Sequence, residues 1–199
     1  MLIGIDEAGR GPLAGPVVCA CVSIPNGFVI PQGICLIDSK KLSDVNRRKA
    51  FSFIVKHFLW AVEVVDVYTI DRLNIRRASL LGMQRALNRF LSKYSCGGYE
   101  FIRIMVDGTD KIELPEFLNG ECIPVVKGDD KVREIACASI LAKVVRDSIM
   151  LGLDKLYPIY GFARNKGYAT KEHVEAIHRF GPSPVHRRSY EPVVQMRLW

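Results

Sequence analysis

Acidic side chains stand directly after short apolar runs at three places in this sequence. The run at residues 2–5 is followed by Asp6 and Glu7, the run at 101–106 by Asp107, and the run at 122–126 by Asp129. The ends of strands are where α/β sheets place their sites. Carboxylates that converge there repel one another unless cations neutralise them. Because hard cations prefer anionic oxygen, the pattern predicts a site for Mg²⁺ or Mn²⁺ rather than zinc.

Two such cations, about 4 Å apart, activate a water and stabilise the leaving oxygen of a phosphodiester. The competing interpretation is that acids at strand ends are only solvated turn formers, and for Asp107-Gly108 alone that interpretation is the stronger one. Asp6-Glu7 carries more weight because the glycine-rich segment 8–12 follows it. Adjacent strand residues point to opposite faces. Glu7 therefore joins Asp6 at one metal only if the strand has begun to turn.

The hydrophobic pattern predicts the elements that must position these acids. It indicates strands at residues 2–5, 17–24, 60–67, 101–106 and 122–126, and helices at 43–58 with Ser43 as N-cap, 71–91, 132–153 and 171–180. Residues 31–42 are predicted to form a loop, and Gly97-Gly98 to break the chain. Strand–helix alternation favours an α/β fold, a mixed sheet flanked by helices. We expect one domain over residues 1–199, with about 154–199 as a small C-terminal helical segment packed on it.

Composition narrows the class of partner and the compartment. The chain has 28 basic and 21 acidic residues, a net charge of +7, which suits a polyanionic partner. No apolar run is long enough to span a bilayer, and charged residues near the N-terminus interrupt any signal peptide, so we expect a cytoplasmic protein without a membrane. The six cysteines lack zinc-finger spacing and mostly lie in apolar segments, which predicts buried free thiols. Cys19 and Cys21 are expected on one face of a strand.

Specific motifs, in order along the chain, resemble those of the ribonuclease HII family. The first is the stretch from Gly4 through Asp6-Glu7-Ala8-Gly9-Arg10-Gly11-Pro12 to Val18. It is followed by Asp38-Ser39-Lys40-Lys41-Leu42, Leu73-Asn74-Ile75, Met83-Gln84-Arg85-Ala86, Val106-Asp107-Gly108 and Val126-Lys127-Gly128-Asp129. The last are Ala138-Ser139-Ile140-Leu141-Ala142-Lys143-Val144 with Arg146-Asp147, Tyr160-Gly161-Phe162-Ala163, Lys166-Gly167-Tyr168 and His186-Arg187-Arg188-Ser189. The resemblance covers about residues 2 to 190.

The resemblance implies an RNase H-like fold and two-metal hydrolysis with Mg²⁺ or Mn²⁺. The implied substrates are RNA–DNA hybrids and duplex DNA containing ribonucleotides, cut on the 5′ side of a ribonucleotide to leave a 3′-hydroxyl and a 5′-phosphate. The family's four catalytic carboxylates, which also bind the metals, correspond to Asp6, Glu7, Asp107 and Asp129. Asp130 adjoins the last of these and is a minor alternative ligand. A role in replication and in ribonucleotide removal follows from the same resemblance.

The same resemblance implies the substrate-binding residues. The loop Gly9-Arg10-Gly11 matches the family's ribose-sensing loop, and glycines allow a close backbone approach to the 2′-hydroxyl; the alternative is a plain tight turn. Ser39, Lys40 and Lys41 are expected at phosphates, or else as a solvated surface. Lys127, Lys143 and Lys166 are added on motif matches. Tyr168 is expected to pack on deoxyribose, the alternative being a core tyrosine, and Asn74 either contacts substrate or caps a helix.

Some matches carry less information about substrate. The segment His186-Arg187-Arg188 is expected to pack on the catalytic domain, and His186 is a weak candidate for a metal ligand. Asn165 stands where the family often has histidine, which affects a side contact only. We expect a monomer, because the extra segments of related enzymes are missing.

Three rival functions stay open at this point. One is another nuclease or a transposase of the same superfamily, which lacks the Gly-Arg-Gly loop. A second is a non-catalytic hybrid-binding protein, which predicts a lost carboxylate. The third is a small-molecule phosphohydrolase, which the positive charge disfavours.

Overall fold

A five-stranded mixed sheet brings the predicted strand ends together. The computed structural model describes residues 1–94 and 101–195. Its strands are β1 (Leu2–Ala8), β2 (Val17–Ser23), β3 (Leu59–Val65), β4 (Ile102–Asp107) and β5 (Gly120–Val125), in the order β3-β2-β1-β4-β5. β1 is parallel to β4 and β4 to β5, whereas β1–β2 and β2–β3 are antiparallel. The carboxyl ends of β1, β4 and β5 therefore meet at one edge.

Helices cover both faces of this sheet. They are α1 (Asp44–His57), α2 (Val67–Leu73), α3 (Ile75–Lys93), α4 (Gly128–Lys131), α5 (Arg133–Leu156), α6 (Phe162–Asn165) and α7 (Lys171–Phe180), with a 3-10 turn at Pro158–Tyr160. On one face, Leu87 and Phe90 of α3 pack against β1, β2 and β4. On the other, Ile140 of α5 and Ile54 of α1 pack against β2. β2 is buried along its whole length because both of its faces are covered.

Helix caps account for two of the places where the predicted boundaries are wrong; in addition, β1 continues past residue 5 to Ala8 and α5 continues past residue 153 to Leu156. The strand expected to reach residue 67 ends at Val65, because Asp66 caps α2 by accepting a hydrogen bond from the amide of Thr69 at 2.7 Å. The single helix expected over 71–91 is split into α2 and α3 at Asn74. That residue has a φ of 65° and accepts from the amide of Arg77 at 3.1 Å. The N-cap interpretation of Asn74 is confirmed.

Other expectations about the fold are confirmed. The mixed sheet flanked by helices is present, Ser43 caps α1, and α7 has the expected bounds. Cys19 and Cys21 lie in one core cluster, and no described cysteine is in a disulfide. Residues after 153, expected to be irregular up to the last helix, contain the end of α5, the 3-10 turn and α6. Gly97-Gly98 and Cys96 lie outside the described residues.

The part of the chain after α5 packs on the loop between β1 and β2. Met150, Phe162 and Ile177 form a buried cluster with Leu13 and Ala14 of that loop. Backbone hydrogen bonds join the amide of Leu13 to the carbonyl of Gly167 and the amide of Arg187 to the carbonyl of Leu13, each at 2.8 Å. The two segments thus form one wall beside the strand ends. Among the helices that the structure describes, none is both long and apolar enough to cross a membrane.

Candidate functional site

Three carboxylates meet where β1 and β4 end. Asp6, Asp107 and Asp129 each offer an oxygen, and these oxygens lie within 4.8 Å of one another. The amide of Gly128 donates to Asp107 Oδ1 at 2.7 Å, which ties the start of α4 to the end of β4 and brings Asp129 into place. A Cβ at Gly128 would lie 2.6 Å from Ile135 Cδ1. It would also lie 3.3 Å from Asp107 Oδ1, so a larger residue at this position would require the neighbouring side chains to shift.

Glu7 lies outside this three-carboxylate cluster. β1 stays paired through Ala8, with Glu7 opposite Cys19, so the strand has not turned at Glu7 and its side chain leaves the face that carries Asp6. Its Oε1 lies 3.4 Å from Nη1 of Arg10. Its Oε2 is buried and has no hydrogen-bond partner among the described residues. A buried carboxylate oxygen that accepts no hydrogen bond is unsatisfied, and a bound cation would satisfy it.

The electrostatics of these acids show a shortage of positive charge. Burial, and then repulsion from Glu7 and Asp107, holds the pKa of Asp6 well above its usual range. Burial raises the pKa of Glu7, and Asp107 adds to the rise while Arg10 opposes it. The pKa of Asp129 is raised by burial and by Asp107. An all-carboxylate set of this kind fits hard divalent cations.

A single cleft beside the cluster gathers many of the other predicted residues. It is lined by Glu7, Gly9, Arg10, Gly11, Ser39, Lys40, Lys143 and Tyr168, together with Ala8, Ser139 and Arg146. The pKa of Lys40 is raised, because attraction to Asp38, Asp129 and Asp6 outweighs the effect of burial. The Tyr168 side chain is about half-exposed, so its ring is available to a ligand. The structure therefore places the glycine loop, a lysine and an aromatic ring around one space.

Several predicted contacts already have partners within the protein. Ser39 is buried and its Oγ lies 3.0 Å from Oγ of Ser139 on α5, so it is not a freely exposed group. Lys143 pairs with Asp147 at 2.9 Å. Lys166 donates to the carbonyl of its near neighbour Ala163.

Two further lysines flank Asp129 and Asp130. Lys41 forms an ion pair with Asp130, and Asp130 is absent from the three-carboxylate cluster. Lys127 precedes α4 in a left-handed conformation, with a φ of 54°. Neither Lys41 nor Lys127 lines the cleft beside Tyr168, and Asn74 also lies away from it.

The segment His186-Arg187-Arg188 packs inside the protein, as expected. His186 Nδ1 accepts from the amide of Ser183 at 2.9 Å, and its Nε2 lies 3.0 Å from Nε2 of His173. Arg187 is fully buried, while Arg188 is exposed. Asn165, where the motif departs from the family, accepts from the amide of Gly167 at 2.7 Å and so shapes the loop before Tyr168.

Sequence patterns assigned no role to Ser139 and Arg146, although both line the cleft. Ser139 donates a side-chain hydrogen bond that lowers the pKa of Asp6 and partly offsets its burial. The available signal is that these polar residues interrupt an apolar stretch of α5, about two helical turns apart and so on one face.

Comparison with known proteins decides the family. The profile of the ribonuclease HII family matches residues 3–193. The chain belongs to the ribonuclease HII family. This family consists of RNA–DNA hybrid endoribonucleases that depend on divalent metal ions, and the chain is a ribonuclease H enzyme.

Individual relatives agree with the family assignment. A ribonuclease HII of Coxiella burnetii is 48% identical over 200 residues, covering 100% of this chain and 92% of that protein. A ribonuclease HII of Caldanaerobacter subterraneus is 45% identical, covering 95% and 73%. The crystal structure of ribonuclease H2 from Pyrococcus horikoshii superposes with a TM-score of 0.76 at 26% identity, covering 98% of this chain and 96% of that one. The RNase H-like fold expected for a ribonuclease HII is thus confirmed.

Proposed function

We propose that this enzyme hydrolyses the RNA strand of RNA–DNA hybrids and also cuts duplex DNA on the 5′ side of an embedded ribonucleotide. The products carry a 3′-hydroxyl and a 5′-phosphate. The observation that carries the proposal is one cleft lined by Glu7, the Gly9–Gly11 loop and Tyr168. Ser139, which also lines this cleft, hydrogen-bonds Asp6 of the three-carboxylate cluster. The predicted monomeric state, the cytoplasmic location and the role in replication and repair stay predictions.

The acid cluster is the proposed site for two Mg²⁺ or Mn²⁺ ions. Asp6, Asp107 and Asp129 would hold them through oxygens that already lie within 4.8 Å of one another. Glu7 lies outside this cluster, so its unpartnered Oε2 would join as the fourth carboxylate only through a shift of the Glu7 side chain. When bound, the cations supply an activated water and neutralise the charge that develops on the phosphate.

The protein's own groups bind and orient the duplex. Lys40, whose charge is favoured by the acids nearby, and Arg10 line the cleft and are proposed to contact phosphates beside the scissile bond. The backbone of Gly9–Gly11 is proposed to contact the 2′-hydroxyl, the group that distinguishes RNA from DNA. The half-exposed ring of Tyr168 is proposed to pack on the following deoxyribose. The net charge of +7 supports a general attraction to the duplex backbone.

A comparison of three labelled duplexes tests the proposal. They share one sequence and carry either no ribonucleotide, one ribonucleotide, or a full RNA strand. We expect cleavage of the last two, with a single cut 5′ of the lone ribonucleotide, and none of the first. Ligation of the product to a 5′-acceptor checks the end chemistry. Cleavage confined to the full hybrid would contradict the embedded-ribonucleotide part, and equal cleavage of all three would contradict ribose recognition.

A further inference from the structure

Two arginine side chains are buried beneath the cleft without an acidic partner. Arg146 on α5 and Arg187 near the C-terminus have 1% and 0% of their surface exposed. In the part of the chain that the structure describes, neither forms an ion pair with a carboxylate. Their guanidinium groups instead donate to backbone carbonyls, nearly all of them in the loop between β1 and β2. Burying an isolated charge costs free energy unless the charge is fully hydrogen-bonded, so the fold depends on these hydrogen bonds.

Arg187 contacts the part of the loop that lines the cleft. Its Nη2 donates to the carbonyl of Gly9 at 2.5 Å and its Nη1 to that of Arg10 at 2.8 Å. Its Nε donates to the carbonyl of Gly15 at 3.0 Å. The hydroxyl of Tyr190 donates to the same Arg10 carbonyl at 2.7 Å. Two consecutive peptide carbonyls are thereby held toward the protein interior.

The direction of these carbonyls sets the direction of the amides that follow them. In a planar trans peptide the C=O and the next N–H point to opposite sides. Because Arg187 holds the carbonyls of Gly9 and Arg10 inward, the amides of Arg10 and Gly11 point away from it. Neither amide donates to any described group of the protein. Two free donors on a loop that lines the cleft are suited to the oxygen of a ribose hydroxyl.

Arg146 joins this loop to the segment that carries Tyr168. Its Nε and Nη2 donate to the carbonyls of Pro16 and Ala14 at 3.0 and 3.1 Å, and its Nη1 donates to the carbonyl of Lys166 at 3.0 Å. Its guanidinium carbon lies 5.9 Å from the centre of the Tyr168 ring. Gly9 has a φ of 102°, and a Cβ there would overlap the Arg146 side chain. The guanidinium therefore fixes the spacing between the loop and the ring.

We infer that Arg146 and Arg187 are positioning residues for ribose selectivity, which hold the amides of Arg10 and Gly11 in register with the Tyr168 ring. The inference rests on the proposed function, because it assigns the cause of the ribose recognition proposed there. Arginine is required at both positions because its planar fork reaches several carbonyls at once, whereas lysine is a single compact cation. Both side chains are almost fully buried, so they are proposed to act through the loop rather than by direct contact with the substrate.

The experiment compares the selectivity of Arg187→Lys with that of the unmodified enzyme. Dissociation constants are measured by fluorescence anisotropy in Ca²⁺ for a duplex with one ribonucleotide and for the same duplex of DNA only. Single-turnover cleavage of the first duplex is measured in Mg²⁺. We expect the ratio of the two dissociation constants to fall by about 10-fold and the cleavage rate by about 100-fold, since small misplacements of this kind are costly. Affinity for the DNA-only duplex should fall less than the affinity for the ribonucleotide duplex, since Lys40 and the other basic residues outside the loop keep their positions.

A control and a milder variant separate positioning from stability. Ile177→Ala removes packing from the same C-terminal cluster without touching the carbonyls of residues 9–11, so it should lower the melting temperature and keep the selectivity ratio. Tyr190→Phe removes the hydroxyl that donates to the Arg10 carbonyl at 2.7 Å and accepts from Arg187 Nη1 at 3.3 Å, and it leaves the ring in place. It should lower the ratio by about 2- to 10-fold even if Arg187→Lys fails to fold.

The outcomes distinguish this inference from the proposed function. If the unmodified enzyme does not discriminate between the two duplexes, the proposed function fails and the inference fails with it. If it discriminates, and both Arg187→Lys and Tyr190→Phe keep the ratio while lowering the melting temperature, then the arginines only stabilise the fold and the inference is overturned. Loss of the ratio in these variants, with retention in Ile177→Ala, supports it.

Discussion

Like charges lie close together both in the acid cluster and under the loop beside it. The two groups of charges are compensated in different ways. Asp6, Asp107 and Asp129 repel one another at the strand ends, and Glu7 keeps a buried oxygen without a donor. Arg146 and Arg187 also lie close together. Burial, followed by repulsion from Arg187, lowers the pKa of Arg146 to about 10. Backbone carbonyls surround both guanidiniums, so the loop is complete within the protein, whereas the acid cluster requires ions from solution.

On the proposed function, this difference would separate the groups responsible for chemistry from those responsible for selectivity. We expect the backbone of the loop to keep its shape when the acid cluster gains or loses cations, because Arg187 and Arg146 hold its carbonyls; the Arg10 side chain, which pairs with Glu7, is the exception. The loop can be disturbed without loss of the carboxylates, because it lies after the last residue of β1. Variants at the two places should therefore fail in different ways, and the following predictions test whether they do.

The largest expected effect is the loss of chemistry on removing one charge from the cluster. Asp107→Asn keeps an oxygen that can accept from the amide of Gly128 but removes a charge proposed to bind metal. Asp129→Asn likewise removes a charge proposed to bind metal, on α4. Cleavage should fall by roughly 1,000-fold or more, since metal stabilisation of the transition state is worth several kcal/mol. Binding of the hybrid should persist.

The neighbouring acid provides the matched control for this change. Asp130 pairs with Lys41 and is absent from the cluster, so Asp130→Asn should leave the cleavage rate within a few-fold of normal. Single-turnover rates of the three purified variants make the comparison. Equal losses in Asp129→Asn and Asp130→Asn would show that the ligand has been misassigned.

A fall in pH should destabilise the folded segment around His186. The same fall in pH should reduce the repulsion among the carboxylates of the acid cluster. His186 accepts from Ser183 at Nδ1, and burial followed by repulsion from His173 lowers its pKa to about 4. A histidine with a depressed pKa takes up a proton preferentially in the unfolded chain, so stability is lost as the pH falls from about 6.5 toward 4. The contribution is about 3 kcal/mol at neutral pH. The acids of the cluster have raised pKa values and change stability in the opposite direction.

Urea unfolding at pH 7 and at about pH 5 measures this difference, with two histidine variants. His186→Asn, whose amide oxygen can still accept from Ser183, should show a smaller loss of stability in acid than the unmodified protein. His178→Gln, on an exposed position of the same helix as His173, should behave as the unmodified protein does. If His186→Asn loses as much stability in acid as the unmodified protein, the histidine pair is not the cause of that loss.

Divalent ions should stabilise the folded protein through the acid cluster and not through the loop. Mg²⁺ or Mn²⁺ at about 100 times the dissociation constant should add about 2.7 kcal/mol to the free energy of unfolding, and EDTA should remove both this gain and the activity. The gain should vanish in Asp107→Asn and persist in Arg187→Lys. Melting curves with and without each ion provide the measurement. A gain that persists in Asp107→Asn would place the ions elsewhere.

The smallest expected effect belongs to the exposed ring at the junction. Tyr168→Ala should reduce cleavage of a duplex with one ribonucleotide by about 5- to 150-fold, the range of one stacking contact. Cleavage of a long hybrid should fall less, because it offers no deoxyribose on that side. The melting temperature should change little, since the ring is about half-exposed. Equal losses on both substrates together with a lower melting temperature would mean that the ring only supports the fold.

The sequence predicted the acid cluster better than the loop, for a physical reason. An apolar run followed by an acid is a local signal, and it located Asp6 and Asp107 before the order of the strands was known. The split at Asn74 was missed because the residues on both sides keep a helical pattern. The environment of Arg187 could not be predicted, because arginine is rarely fully buried and its partners lie 178 positions away.

That distance along the chain imposes an order on the maturation of the enzyme. During synthesis the chain emerges from its N-terminus at roughly 5–20 residues per second. The first two strands and the carboxylates of β1 and β4 leave the ribosome well before Arg187 does. A nascent chain thus acquires every acid of the cluster while the loop at residues 9–16 still lacks its guanidinium. On the inference that Arg187 positions this loop, the capacity to tell RNA from DNA would be the last of these properties to form, after residue 187 has been translated.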